Sequence, residues 1–316
     1  MTAKKRTISF ALPVYNEREG IKTFYTELLK ALSSVENKYN FEFVLVNDGS
    51  KDGTTEILKG IAERDNRAVV VEFSRNYGHQ IAISAGLDFA KGDAVIIMDS
   101  DLQDPPRTCL DLIRAWEDGA EVVYAKRRSR KDSLKTRIVR ATFYALLSAI
   151  SDIEIPRDTG DFRLLDRKAV EAMKHYREKD RYMRGISVHI GFKQKEVLFD
   201  RDERFAGETH YSWKKLIRFS LDGIMGFSSV PLKIISRAGF VVSLISILGI
   251  IWSVAIKFLR PDLAVPGWAF IVVSVFFIGG VQLIMLGIIA SYVGRIYTEA
   301  QNRPLYLVSN TRNEKK

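Results

Sequence analysis

The chain has 316 residues, 47% of them hydrophobic, and a formal net charge of +10 at pH 7, enough apolar content for a sizeable buried core. Cys109 is its single cysteine, which excludes an intramolecular disulfide, a CxxC metal site and a redox pair, and fits a reducing compartment. The positive charge suggests an anionic partner without separating nucleic acid, acidic lipid and nucleotide substrate.

In chain order, Lys4, Lys5 and Arg6 precede the apolar run Ile8 to Val14. Asn16, Glu17, Arg18 and Glu19 follow too soon for an export signal and no small-residue cleavage site is present, so the run is predicted to be a first strand. Further strands are predicted over Phe41 to Asn47, Ala68 to Phe73, Ala94 to Met98 and Glu121 to Ala125. Helical patterns separate them over Glu19 to Leu32, Thr54 to Arg64, Ile81 to Phe89 and Arg107 to Trp116. The βαβ series implies an α/β domain with a mostly parallel sheet, whose ligands sit beyond the carboxyl ends of the strands.

Further along, Trp213, Leu216, Ile217, Leu221 and Ile224 recur at helical spacing with Lys214, Lys215 and Arg218 between them. That describes a helix lying on a membrane surface, or a surface helix packed on the domain. No charge occurs from Ala238 to Ile256 or from Leu263 to Gly294, and a span needs about 20 apolar residues. The expectation is a transmembrane hairpin with helices near 238–256 and 267–293. Lys214, Lys215, Arg218, Lys233 and Arg237 precede it, Arg295, Arg303 and Arg312 follow it, and Lys257, Arg260 and Asp262 lie in the connector. The positive-inside rule then puts both termini in the cytosol. The organisation expected is a cytosolic domain over 1–210, an interfacial helix over 211–233, two spans within 234–296 and a cytosolic tail over 297–316. Gly280, Gly287 and Gly294 repeat every seven residues, a pattern that would let another helix approach in a homo-oligomer, whether dimer or tetramer.

The predicted strand ends carry Pro13-Val14-Tyr15-Asn16-Glu17, Asn47-Asp48-Gly49-Ser50-Lys51-Asp52-Gly53 and Asp99-Ser100-Asp101-Leu102-Gln103-Asp104. Asp99 and Asp101, one residue apart at a strand exit, can reach one hard cation, Mg²⁺ or Mn²⁺, with Gln103 as a third oxygen ligand. Such an ion stabilises charge on a departing diphosphate, although an isolated Asp-x-Asp is also a common solvated turn. Arg75-Asn76-Tyr77-Gly78-His79-Gln80 precedes a helix, so its N–H groups and Gln80 are candidates for a nucleotide or sugar contact, or simply form a helix entry. His79, His175, His189 and His210 are scattered without ligand spacing and read as packing or surface residues. No P-loop and no Gly-x-Gly-x-x-Gly follows the first strand, which argues against ATP hydrolysis and dinucleotide redox chemistry.

Together the three loops, with Pro105-Pro106 after the last, resemble family 2 glycosyltransferases, and most closely the polyprenyl-phosphate branch that includes dolichol-phosphate mannose synthase and bactoprenol glucosyltransferases. The resemblance covers nearly the whole chain. It implies a Rossmann-like, GT-A type nucleotide-sugar-binding fold. It also implies single-sugar transfer with inversion, at the cytosolic face of a bacterial inner membrane, from a UDP-sugar to a polyprenyl phosphate such as undecaprenyl phosphate. Glucose is the sugar suggested; GDP-mannose, UDP-GlcNAc or a UDP-aminoarabinose type are alternative donors. Pro13, Tyr15, Glu17 and Asp48 would hold the nucleoside, Asp48 accepting from a base N–H. Asp99, Ser100 and Asp101 would serve the diphosphate and metal, with Gln103 completing the metal shell and Arg204 on a mobile loop over the donor.

On the acceptor side, an ionised lipid phosphate needs positive charge more than a strong base. Arg127 matches the family's acceptor-phosphate arginine, and Arg137 and Arg140, three apart on a helix, either join it or attract anionic headgroups. Within Arg157-Asp158-Thr159-Gly160-Asp161-Phe162-Arg163, Asp158 is the first candidate to orient the acceptor or act as base and Asp161 the second; helix capping is the alternative for either. A processive polysaccharide synthase is disfavoured by the missing Gln-x-x-Arg-Trp motif and only two spans, and an inactive scaffold by the intact acidic loops. No nucleic-acid partner is implied.

Overall fold

The computed structural model describes residues 5–128, 159–200, 230–259 and 267–314. The chain divides into two compact units: Met1–Ser148 with Ile153–Gly223 and Arg303–Lys316, and Ala149–Asp152 with Ile224–Asn302.

In the first unit the order is β1 (Arg6–Val14), α1 (Ile21–Leu32), β2 (Tyr39–Asn47), α2 (Thr54–Arg64), β3 (Ala68–Phe73), α3 (His79–Phe89), β4 (Ala94–Ile97), α4 (Thr108–Glu117), β5 (Val122–Arg127), β6 (Thr159–Asp166), α5 (Arg167–Lys174), α6 (Met183–His189) and β7 (Gln194–Phe199). β8 (Val308–Arg312) closes the unit after the two long helices of the second, α7 (Val230–Leu259) and α8 (Trp268–Ala300).

The eight strands form one sheet in the order β7-β5-β6-β4-β1-β2-β3-β8. β3, β2, β1 and β4 run parallel, the 3-2-1-4 arrangement of a Rossmann-like half, and β5 pairs parallel with β7. The expectation of a mostly parallel sheet holds, since β1 to β5 and β7 all run in one direction, and the sheet is mixed only through β6, antiparallel between β4 and β5, and β8, antiparallel on the edge of β3. Strand-helix alternation reveals only crossover connections. β6 carries Asp161 and Arg163 inside it, and β8 reads Val-Ser-Asn-Thr-Arg, so neither shows an apolar strand pattern.

Packing follows the sequence periodicity. Ile21, Phe24, Tyr25, Leu28 and Leu32 form one buried face of α1, as helical spacing requires. That face meets Phe43 of β2, whose ring stacks on Phe10 at 5.4 Å and meets Tyr25 edge-on at 5.2 Å. α3 lies so close to β1 that a Cβ on Gly86 would come within 2.7 Å of the Ala11 Cβ. Cys109 is buried in this core.

In the second unit α7 has 30 residues and α8 has 33. Large apolar side chains such as Phe240, Trp252, Phe258, Leu283 and Ile284 are exposed along them. Among the described residues, Phe277–Ala300 is the one helical stretch long and apolar enough to cross a membrane. A Cβ on Gly280, Gly287 or Gly294 would meet nothing within 4 Å. Most of the expected interfacial helix at 211–233 lies outside the described residues, as does the connector from 260 to 266.

Candidate active site

The loops after β1, β2 and β4 are fastened to one another at the carboxyl edge of the sheet. Asn16, at φ 53°, donates its N–H to Ser50 Oγ at 3.0 Å and accepts from the Lys51 N–H at 2.9 Å. The Glu17 N–H reaches Thr54 Oγ1 at 3.0 Å, and the Arg18 N–H reaches Asp52 Oδ2 at 3.1 Å. Ser100 is buried and donates to the Pro13 carbonyl at 3.0 Å, which ties the β4 loop to β1. Asn47 accepts from the Ser50 N–H at 3.0 Å. Much of the polar content of these motifs therefore satisfies loop backbone. Tyr15 is 46% exposed at the edge of this cluster.

Asp48 is buried and faces the stretch between β3 and α3. Its carboxylate accepts from the N–H groups of Tyr77 at 2.6 Å and Gly78 at 2.9 Å, and from Asn76 Nδ2 at 3.0 Å. Burial pushes its carboxyl above the usual range, while those backbone hydrogen bonds and the charges of His79 and Arg75 pull the other way. Gly49, at φ 68°, follows at a point where a Cβ would lie 2.6 Å from the Arg75 carbonyl carbon and 2.7 Å from the Asn76 nitrogen. Only glycine fits both the left-handed backbone and that close approach.

A second polar cluster joins the end of β4 to β6, α3 and α6. Arg184 grips Asp161 through Nε to Oδ1 at 3.0 Å and Nη2 to Oδ2 at 3.2 Å, and Gln80 Nε2 donates to Asp161 Oδ2 at 3.0 Å. The Gln80 side-chain oxygen accepts from the Met183 N–H at 2.9 Å, tying the start of α6 to α3. His79 Nε2 stands 3.4 Å from Asp99 Oδ1 and 3.5 Å from Asp161 Oδ2. Burial opposes the Asp161 charge, but Arg184 and hydrogen bonds from His79 and Arg184 hold its carboxyl well below the usual carboxylate range. Burial likewise opposes the imidazolium of His79, yet the hydrogen bond to Asp161 and the two carboxylates raise it to about 9. Arg163, also buried, donates to Ser187 Oγ and to the Gly160 carbonyl, the latter at 2.8 Å, and so braces the backbone around Asp161.

Asp99 Oδ1 is buried without a hydrogen-bond partner. Burial raises this carboxyl, His79 opposes the rise, and Asp161 and Asp101 add to it. A buried carboxylate oxygen that makes no hydrogen bond and lies near two further carboxylates attracts positive charge, which His79 supplies at 3.4 Å and a hard cation would also supply. Among the described residues no group of three or more His, Cys, Asp or Glu side chains forms a metal cage. Asp99 and Asp101, with the Gln103 amide two residues on, are the oxygen donors this loop offers to Mg²⁺ or Mn²⁺. Asp101 Oδ1 also accepts from the Gln103 N–H at 3.1 Å, which shapes the turn at Leu102, φ 60°.

Pro13, Tyr15, Glu17, Asp48, Gln80, Asp99, Ser100, Asp101, Gln103 and Asp161 thus lie on elements that end at one edge of the sheet. Arg127 ends β5, its Nη2 4.0 Å from where a Cβ would stand on Gly160. Asp158, Arg137, Arg140 and Arg204 lie outside the described residues. Sequence reasoning missed His79, Arg163 and Arg184. The local signals were the place of His79 between Gly78 and Gln80 and of Arg163 two residues after Asp161, whereas Arg184 joins the site only through tertiary packing.

The family model "Glycosyl transferase family 2" matches residues 9–174. The chain is 45% identical over 306 residues to an uncharacterized glycosyltransferase of Bacillus subtilis, YkcC, covering 96% of this chain and 93% of that one. It is 39% identical over 308 residues to a prophage bactoprenol glucosyl transferase homolog of Escherichia coli, with 96% and 99% covered. It is 40% identical over 312 residues to the bactoprenol glucosyl transferase of Shigella phage SfV, with 97% and 99% covered.

Proposed function

Because the chain belongs to glycosyl transferase family 2, and is thereby a glycosyltransferase using a nucleotide sugar, we propose that it moves one glucose from UDP-glucose to undecaprenyl phosphate. Two relatives that match along almost their whole length are named for bactoprenol glucosyl transfer, which supports the acceptor and the sugar. The observation that carries the reading is the buried Asp99 oxygen that makes no hydrogen bond, near the joined loops after β1, β2 and β4 and 3.4 Å from the His79 imidazole.

Tyr15, the backbone at Pro13 and Glu17, and the loop held by Asp48 bind the nucleoside in this reading. Accepting from Tyr77, Gly78 and Asn76, Asp48 acts first by fixing that loop and keeps acceptor capacity on Oδ1 for a base N–H. Asp99, Asp101 and Gln103 would hold Mg²⁺ or Mn²⁺, which supplies Lewis-acid stabilisation of the departing diphosphate. Ser100 keeps this loop against β1, and Arg204 contributes a positive charge to the donor phosphates. Arg127, with Arg137 and Arg140, positions the acceptor phosphate, whose oxygen attacks the anomeric carbon in line and inverts it. The phosphate is already ionised, so the step needs no strong base. Asp158 orients the acceptor. Asp161, gripped by Arg184 and held strongly ionised, orders the Gln80 and His79 side chains rather than taking a proton.

The exposed apolar sides of α7 and α8 support membrane association of these helices; a hairpin with the catalytic domain and both termini on the cytosolic side follows from the flanking basic residues, and a homo-oligomer from the repeat of Gly280, Gly287 and Gly294. The reaction is tested by transfer of labelled sugar from a panel of UDP- and GDP-sugars to polyprenyl phosphate, with and without EDTA. Chloroform-soluble label made from UDP-glucose, lost with EDTA and with Asp101→Ala, is expected. Label insensitive to both treatments, or label from no donor, sinks the reading.

A further inference from the structure

The chain leaves α8 and returns to the catalytic sheet, and the returning segment bears on the nucleotide side of the site. β8 pairs with β3 from Val70 opposite Arg312 to Phe73 opposite Val308, with an irregularity between Glu72 and Phe73. Around this pairing the Ser74 N–H donates to the Leu307 carbonyl at 3.0 Å, and Ser309 Oγ donates to the Glu72 carbonyl at 3.0 Å. Asn313 Nδ2 closes the far end on the carbonyls of Ala62 at 2.6 Å and Ala68 at 3.1 Å. Lys179 donates to the Arg303 carbonyl at the near end. A segment with a partner at every few residues is a built part of the domain rather than a loose tail.

Tyr306 is the residue through which this strap reaches inward. Its ring stacks on Phe73 at 4.9 Å and 21°, and its hydroxyl donates to Asp88 Oδ2 at 2.8 Å. Asp88 is held in turn by Arg177 Nη1 at 2.9 Å. Phe73 meets Tyr77 edge-on at 5.5 Å, and the Tyr77 hydroxyl lies 3.2 Å from Ser74 Oγ. The Tyr77 N–H ends the series on Asp48. One face of Phe73 is thus covered by the strap while its ring supports the 74–78 stretch.

We propose that Tyr306 is a positioning residue for donor binding: by stacking on Phe73 it holds the 74–78 loop in the conformation that receives the nucleotide sugar. The proposal rests on the reading above that this loop flanks the donor. Its consequence is that the segment after the apolar helices sets donor affinity while touching neither sugar nor lipid.

The test uses the full chain in detergent, with Tyr306→Ala and Tyr306→Phe. Backbone hydrogen exchange over 74–78 reads the loop without any substrate, and steady-state kinetics read the donor. In Tyr306→Ala these amides should exchange faster, and the donor KM should rise about fivefold, as expected for loss of one aromatic pair. The kcat and acceptor KM should stay within about twofold, because the transition-state groups are untouched. Tyr306→Phe keeps the stack and should retain most of the donor affinity. Unchanged exchange at 74–78, faster exchange with an unchanged donor KM, or a fall in kcat that merely follows a lower melting temperature each overturns the proposal. If Tyr306→Ala does not fold, Tyr306→Leu, which keeps bulk without the ring, takes its place. A wild-type chain with no transfer from any donor overturns the functional reading instead, and titration with UDP then replaces KM as the test of the strap.

Discussion

Replacing Asp161 by Asn probes the polar cluster most sharply. Its carboxylate is 5% exposed and makes a two-point contact with Arg184, whose side chain is 28% exposed. Breaking a fully buried ion pair costs about 3–5 kcal/mol. Arg184 recovers part of its hydration here and Gln80 can still donate to the Asn oxygen, so about 2–3 kcal/mol is expected at neutral pH. The pH dependence carries a sign. Asp161 is depressed in the folded chain, so its contribution is complete above the unfolded carboxylate value of about 4 and disappears as pH falls through the lower folded value. Asp161→Asn should therefore be less stable at pH 7 and should lose less than the wild type on acidification. Urea unfolding of the detergent-solubilised chain between pH 7 and pH 3 measures both. A loss below about 0.5 kcal/mol, or an acid profile parallel to that of the wild type, refutes the assignment of Asp161 as the ionised hub.

Other consequences follow from single contacts. Gly49→Ala must place a Cβ against the backbone of Arg75 and Asn76 at positive φ, so a loss of about 2 kcal/mol or more in unfolding free energy is expected, together with weaker UDP binding by calorimetry. Phe43→Ala removes a fully buried ring packed on Phe10 and Tyr25 and should cost about 3–5 kcal/mol in the same unfolding assay. The His79 imidazole should titrate at about 9 by NMR and fall toward the ordinary value of about 6.5 in Asp161→Asn. Asp101→Asn should lower kcat about 100-fold with little change in unfolding free energy.

How far the sequence reveals this structure depends on the kind of signal each element carries. β1 to β5 and α1 to α4 were legible within a residue or two because the strands are apolar runs, several buried on both faces, and the helices between them carry apolar residues at helical spacing. The departures come where the apolar signal is interrupted. β6 places Asp161 and Arg163 on a strand between β4 and β5, and β8 has almost no apolar residue, so both are strands by virtue of their partners. The acidic loops were legible as a site because their spacing at strand exits is itself the chemical pattern. The Asp161-Arg184-His79 cluster was not, since its members are brought together by α6 packing against α3 and β6. Asp48 illustrates the same limit. Its position after β2 marks it as functional, while only the fold reveals that its oxygens hold Tyr77 and Gly78.

The central claim is tested most directly by incubating the purified full chain with undecaprenyl phosphate, UDP-glucose and Mn²⁺, then weighing the lipid by mass spectrometry while UDP is counted. A lipid heavier by a single hexose, with one UDP released for each lipid converted, is the expected result. UDP release that does not depend on the lipid, a ladder of added sugars, or an unchanged lipid contradicts it.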